Sequence, residues 1–159
     1  MDPRDALLLK DVARAGWLRV GVDHPESVAA HSWGVAVLAL LTCPDHLDRA
    51  RVLGMALVHD LPEVDVGDLT PHDGVDKAEK ARREALAADR LFAGRPDLRA
   101  LWQEYEDHQT DEARFVHALD RLDMGVQAQI YADRGIDTAE FLASARRGLP
   151  PELAQWLSR

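Results

Sequence analysis

Apolar residues recur at helical spacing along most of the chain, and no stretch shows the sustained alternation of a β-strand. In one such segment Val28, Val35 and Leu38 follow a helical repeat, which Pro44 then ends. The pattern predicts helices near residues 4–15, 28–42, 48–60, 76–93, 97–107, 111–132, 138–146 and 151–158, with irregular segments over 16–27 and 65–76. Helices in this number around one core predict an all-α fold, a single-domain orthogonal helical bundle over residues 1–159.

Composition narrows the class of protein. The chain has 159 residues, of which 47% are apolar, enough to bury a core without a metal or a disulfide. The formal charge of -9 and the absence of a basic run argue against a nucleic-acid partner. Cys43 has no second cysteine to pair with, which favours a reducing compartment, and the apolar run 35–41 is too short for a membrane span. We therefore expect a cytoplasmic protein that binds neither nucleic acid nor membrane.

Two histidines and two aspartates in three separate segments form a candidate metal site. His59 and Asp60 follow an apolar helical run, Asp120 closes another, and His31 lies near the start of the second helix. A carboxylate at the inner end of an apolar run is costly unless it is paired or binds a metal. Pro62 disfavours helical geometry in the residue before it, so the helix should close at the site. Mixed imidazole and carboxylate ligands suit Mn, Fe, Co, Ni or Zn rather than Ca.

Each of these residues also has a simpler explanation. Asp120 has Arg121 and Arg114 as candidate ion-pair partners, and His31 is equally consistent with a hydrogen-bonded histidine at a helix start. A His-Asp dipeptide alone is a weak signal of metal binding. The metal site is therefore a hypothesis that depends on the four residues meeting in the fold.

The order of these residues resembles the H…HD…D signature of the HD-domain metal-dependent phosphohydrolases. Within that superfamily the chain is most similar to the small HD-domain 5′-deoxynucleotidases, including the group of HD-domain-containing protein 2. The segments that carry the resemblance are Arg14–Trp17, Glu26–His31, Leu57–Asp68, Lys77–Glu84, Leu101–Glu106 and Phe115–Met124. The resemblance implies the HD-domain fold, a divalent transition metal on the four residues named above, and a homodimer.

The resemblance also implies roles for residues around the metal. Glu63 would handle protons and Asp68 would position the substrate. Trp17 and Arg14 would lie over the sugar and the phosphate of a nucleotide. Arg19 is a rival for the phosphate contact, because in some relatives the arginine directly precedes the tryptophan. For Trp17 itself, a place in the core is the alternative to substrate contact.

The reaction implied by the resemblance is hydrolysis of a deoxyribonucleoside 5′-monophosphate to the deoxynucleoside and phosphate. One alternative is another HD phosphohydrolase, acting on a cyclic nucleotide, a nucleoside triphosphate or a guanosine polyphosphate. The other is a non-enzymatic helical binding module in which the histidines and aspartates are structural.

Two further helices have simple interpretations. The charged segment 76–84 is typical of a solvated helix face, with Lys80 and Glu84 spaced for an ion pair. The apolar stripe that includes Trp102 and Tyr105 indicates core or a dimer interface rather than a binding platform.

Overall fold

The structure, a computed structural model, describes residues 2–158, and within that range it contains helices and a single isolated β-bridge but no strand. The α-helices are α1 Pro3–Leu7, α2 Ala15–Arg19, α3 Val28–Thr42, α4 Arg49–Val58, α5 Glu63–Val66, α6 Lys77–Leu91, α7 Pro96–Asp107, α8 Asp111–Ala132, α9 Ala139–Gly148 and α10 Pro151–Ala154; 3₁₀ turns occupy Leu8–Asp11 and Gln155–Ser158. The predicted all-α bundle is confirmed. The domain bounds 1–159 stay a prediction, since Met1 and Arg159 lie outside the described residues.

Short polar side chains begin four of the longer helices. Ser27 accepts a hydrogen bond from the backbone at the start of α3, and Asp48, Asp76 and Thr110 do the same for α4, α6 and α8. Each cap satisfies an N–H group that the helix cannot pair internally and contributes about 1 kcal/mol. Because this chemistry is local, the predicted starts of these helices agree with the structure to within a residue or so.

The core lies where α3, α4 and α8 pack together. Val35 and Ala39 of α3, Met55 of α4 and Leu119 of α8 are fully buried there. Burying a side chain of the size of Val, Leu or Met contributes about 1.5–3 kcal/mol. Each candidate metal residue lies within about one helical turn of a buried core residue, so the site is attached to this core. No helix in the described range is long and apolar enough to cross a bilayer.

The predicted first helix over 4–15 is wrong in its second half. The backbone extends after the first 3₁₀ turn, where Arg14 N–H donates to Glu26 O at 3.1 Å and Val28 N–H donates to Val12 O at 2.8 Å. These bonds form the antiparallel bridge and replace helical ones, although the side-chain pattern is helical. Helix α2 then forms inside the segment predicted to be irregular. The pairing joins residues far apart in sequence, which local periodicity does not report.

Helix α4 closes at the candidate site, as the proline indicated. It ends one residue before His59, and the turn through Pro62 leads directly into α5. Glu63 N–H donates to Asp60 O at 3.0 Å, so the chain makes one further turn rather than leaving the site. Gly67 ends α5 with a φ of 76°, a conformation that favours glycine.

The apolar stripe of α7 belongs to the core. Trp102 and Tyr105 are both buried. The indole Nε1 of Trp102 donates to the backbone oxygen of His59 at 3.1 Å, and the Tyr105 ring lies 5.1 Å from the His59 ring between centroids. Helix α7 therefore supports the backbone and the ring of one candidate metal ligand.

Candidate metal centre and adjoining cleft

Two buried histidines face each other across the core side of the site. His31 comes from the first turns of α3 and His59 from the residue after α4, and their ring centroids lie 5.5 Å apart. Among the described residues, neither Nε2 atom has a hydrogen-bond partner at an acceptable angle, although a carboxylate oxygen lies near each of them. A buried polar atom without a partner costs about 1–3 kcal/mol. Two such nitrogens side by side fit a cation that both rings would bind.

Two carboxylates complete the group. Asp60 Oδ2 lies 3.1 Å from His59 Nε2 and 3.6 Å from His31 Nε2, and Asp120 Oδ1 lies 3.1 Å from His31 Nε2. Ligands held about 2.1 Å from one ion are separated from each other by roughly 3–3.5 Å. His31, His59 and Asp120 offer ligand atoms within 4.8 Å of one another, and Asp60 lies beside both histidines, so the structure brings the four predicted residues together as candidate ligands of one ion.

The charges of the site also favour a cation. Burial and the nearby Arg14 lower the pKa of His31, but the carboxylates of Asp120 and Asp123 outweigh them and raise it to about 10. Burial raises the pKa of Asp60, yet His59, His31 and Arg14 together bring it well below its ordinary value. The cluster therefore holds positive charge between its carboxylates, a place that a divalent ion fits.

Solvent reaches the site from one side. The imidazoles of His31 and His59 are fully buried, whereas the side chains of Asp60 and Asp120 are 19% and 32% exposed. An ion held here would be closed in by protein behind the rings and open beyond the carboxylates. Four protein ligands and one open side leave room for water and a substrate atom.

Glu63 opens α5 beside the aspartate of the His-Asp pair. Its side chain is buried, and within residues 2–158 its Oε2 has no hydrogen-bond partner. Burial, followed by the charges of Asp60 and Asp68, raises the pKa of Glu63 to about 10. A carboxyl group in this environment is able to hold a proton at neutral pH, which general acid catalysis requires.

A cleft of about 400 Å³ is connected to the four residues through Arg14, which lines it. Its lining also includes Trp17, Arg19, Asp68 and residues of helix α9. Its volume is in the range of small-molecule sites. Arg14 lines the cleft and also contacts the candidate metal site, because its Nη1 lies 3.9 Å from Asp60 Oδ2.

The two candidate arginines differ in their surroundings. Arg14 is largely buried, and Asp68 and Asp60 raise its pKa against the effect of burial. Arg19 is more exposed, pairs with Glu140 on α9, and places its guanidinium 5.6 Å from the centre of the Phe141 ring. Only Arg14 of the two contacts a candidate metal ligand among the described ion pairs.

Asp68 and Trp17 hold the wall of the cleft in place. Asp68 Oδ2 accepts from Ala15 N–H at 2.7 Å, at the start of α2. Trp17 is 1% exposed and packs against Tyr131 and Phe141, with ring centroids 5.2 and 4.3 Å away. The structure therefore gives Trp17 both positions considered from the sequence: it is a core residue, and it also lines the cleft.

Two features of the site were not predicted. Asp123, one helical turn after Asp120, contacts the far side of a candidate ligand, and that spacing was the available signal. The predicted ion pair between Lys80 and Glu84 is present at 3.5 Å, but the interpretation as a solvated face is wrong at this edge of α6. Lys80 Nζ also donates to Leu69 O at 3.0 Å, beside the cleft, so this edge faces the site.

The family described as HD domain matches residues 7–153. The chain belongs to the HD-domain family. The resemblance seen in the sequence is confirmed at the level of the family, whereas the metal-binding role of His31, His59, Asp60 and Asp120 stays a prediction.

Individual proteins refine the comparison. The mouse protein 5′-deoxynucleotidase HDDC2 is 44% identical over 130 residues, which span 79% of this chain and 65% of that protein. The 5′-deoxynucleotidase hdd1 of Schizosaccharomyces pombe is 33% identical over 162 residues, covering 94% of this chain and 82% of that protein. A predicted metal-dependent phosphohydrolase from Magnetospirillum magnetotacticum MS-1 is 30% identical, with a TM-score of 0.73 over 98% of this chain and 85% of that one. The chain thus matches slightly less than two thirds of the mouse relative's length.

Proposed function

We propose that this protein is a metal-dependent 5′-deoxynucleotidase, which hydrolyses deoxyribonucleoside 5′-monophosphates to deoxynucleoside and phosphate. The observation that carries the proposal is the meeting of His31, His59, Asp60 and Asp120 beside a cleft that shares Arg14 with them. The names of the mouse and fission yeast relatives support the same reaction.

His31, His59, Asp60 and Asp120 would hold one divalent ion. Such an ion, when bound, lowers the pKa of water and offsets the negative charge of a phosphate. Hydrolysis of phosphate monoesters is among the slowest uncatalysed reactions, so charge on the transferring group needs strong stabilisation. Arg14 is placed to supply part of it, since the guanidinium lies beside the proposed ligands. Arg19, tied to α9, is better suited to the outer part of the cleft.

The remaining residues have separable tasks. Glu63 would give a proton to the departing nucleoside oxygen. Asp68 fixes the start of α2 and with it the neighbouring Arg14. Trp17 would crowd the sugar where a ribonucleotide carries its 2′-hydroxyl, because a rigid wall rejects an added group better than additional contacts do.

The metal, the assembly and the compartment extend the same proposal. Co, Mn, Fe, Ni and Zn all suit two imidazoles and two carboxylates. We infer a homodimer from the family resemblance. A cytoplasmic location is inferred from the single cysteine. Metal analysis of untagged protein tests the identity of the metal, and sedimentation tests the homodimer.

A nucleotide panel tests the reaction. Untagged protein is incubated with dAMP, AMP, dATP, a cyclic nucleotide and a guanosine polyphosphate in the presence of each of the candidate metals. Released phosphate and the nucleoside or nucleotide products are both measured, because hydrolysis of the last three substrates can proceed without releasing free phosphate. Preferential release from dAMP supports the proposal. Preferential turnover of any of the last three points to another HD phosphohydrolase, and no turnover with a fully loaded metal site points to a binding module.

A further inference from the structure

The two nitrogens of His31 face different carboxylates. Nε2 points toward Asp60 and Asp120, whereas Nδ1 lies 2.7 Å from Asp123 Oδ2. A carboxylate only accepts hydrogen bonds, so Nδ1 carries the ring proton and donates it. When a metal ion displaces the second ring proton, the lone pair of the imidazole is on Nε2, the atom that faces Asp60 and Asp120.

The carboxylates of Glu26 and Asp123, on the Nδ1 side of His31, already accept hydrogen bonds, whereas Nε2 has no partner at an acceptable angle among the described residues. Glu26, His31 and Asp123 offer three ligand atoms within 4.8 Å of one another, which resembles a second metal site. However, His31 Nδ1 already donates to Asp123, and Glu26 Oε1 accepts from Trp17 Nε1 at 2.9 Å. These partners make the group a hydrogen-bonded support for the ring rather than a site for an ion.

The helix that carries His31 leaves space for this carboxylate. Gly34 lies one turn after His31 on α3, and a Cβ added there would collide with Asp123 Oδ1 and lie 3.0 Å from its Cγ. Glycine inside a helix is less favourable than alanine. Helix α3 therefore carries a glycine, which is less favourable for the helix than alanine, at the position where the Asp123 carboxylate approaches His31.

We propose that Asp123 is a positioning residue for the metal: its carboxylate fixes the tautomer and the orientation of His31, so that Nε2 faces the ion. This inference rests on the proposed metal site. Partners of this kind behind a ligating histidine typically contribute 10–100-fold to metal affinity. Replacing Asp123 should therefore lower the metal affinity while all four proposed ligands remain in place.

The test measures zinc affinity of untagged, metal-free protein by competition with a chromophoric chelator, well below each variant's Tm. Asp123→Ala should weaken zinc binding by about 10–100-fold. Asp123→Asn keeps an oxygen that accepts from His31 Nδ1, so its loss should stay below about tenfold. Asp133→Ala, at the exposed end of the same helix, is the matched control and should remain within about twofold of wild type.

A second variant reaches the same hydrogen bond from the other helix. Gly34→Ala should weaken zinc binding in the wild-type background, because the new Cβ displaces the Asp123 carboxylate. It should change nothing further in Asp123→Ala, where the colliding atoms are gone. Nitrogen-15 spectra of the zinc-loaded wild type should show His31 protonated at Nδ1.

Three results would overturn the inference. The first is zinc binding by Asp123→Ala as tight as that of wild type. The second is an equal loss of affinity in Asp123→Asn and Asp123→Ala. The third is an effect of Gly34→Ala that does not depend on residue 123. If Asp123→Ala does not fold, Asp123→Asn and Gly34→Ala decide the matter. Wild type that binds no zinc would refute the metal site itself, whereas tight zinc binding without dAMP hydrolysis would refute only the proposed reaction.

Discussion

Replacing Trp17 with alanine tests the core and the cleft together. The indole is 1% exposed, contacts the rings of Tyr131 and Phe141, and donates to Glu26. The substitution removes all three interactions and leaves a half-buried carboxylate oxygen without its donor. We therefore expect lower stability and a wider cleft from the same change.

The size of the stability loss follows from these contacts. Truncating a large buried aromatic side chain costs about 3–5 kcal/mol. Each aromatic pair contributes about 0.5–1.5 kcal/mol beyond its area, and a hydrogen-bonding group left unpaired costs about 1–3 kcal/mol. These contributions overlap, so Trp17→Ala should fall in the upper part of the range, about 4–5 kcal/mol. For a chain of this length that lowers Tm by roughly 8–20 °C.

Denaturant and thermal unfolding of the metal-free protein provide the measurement. Trp33→Ala is the matched control, because the same residue type is 67% exposed on α3 and its loss should change stability by less than about 0.5 kcal/mol. Below the Tm of each variant, the ratio of kcat/KM for dAMP over AMP should narrow in Trp17→Ala and stay unchanged in Trp33→Ala. A stability loss below about 1 kcal/mol would refute the core contacts, and an unchanged or larger ratio would refute the steric wall.

Three other substitutions address the ion, the proton and the packing. Asp120→Ala should lose both bound metal and phosphate release, whereas Asp133→Ala keeps close to one ion per chain; full occupancy and rate in Asp120→Ala would refute the proposed ligand set. Glu63→Gln should keep its metal and slow single turnover of dAMP by about 10²–10⁴; a wild-type rate would make Glu63 structural, and lost metal would make it a ligand. Gly125→Ala should destabilise the fold by about 1–3 kcal/mol, because its Cβ would lie 2.8 Å from a methyl carbon of Leu157. Thermal unfolding measures the loss, and an unchanged Tm would contradict this packing.

The sequence predicted what local chemistry determines. The starts of α3 and α8 follow from Ser27 and Thr110, and the end of α4 follows from Pro62, since each residue acts within one turn of itself. The four candidate ligands were found because two of them end apolar runs and because their order matches a known signature. That these four residues lie close together became visible only in the three-dimensional structure.

What the sequence missed depends on contacts between distant segments. Val28 N–H donates to Val12 O, sixteen positions earlier in the chain. This pairing makes the segment extended although its sequence pattern is helical. Asp123 lies 92 residues from His31, and its one-turn spacing from Asp120 does not by itself distinguish it from a solvated aspartate. Lys80 has the same difficulty, because the first turns of its helix are dense in charge and the contact with the loop at Leu69, which turns this edge inward, joins distant parts of the sequence.

The bridge between Ala13 and Ser27 has a consequence for how ligands enter. It ties the two ends of the segment that carries Trp17, and Tyr131 Oη reinforces the tie by accepting from Glu26 N–H at 2.9 Å. The wall of the cleft is therefore held at both ends, and the amide protons of Arg14 and Val28 should exchange with deuterium more slowly than those of exposed loops. Under the proposed function, a wall held in this way would select a nucleotide by shape without a closing motion.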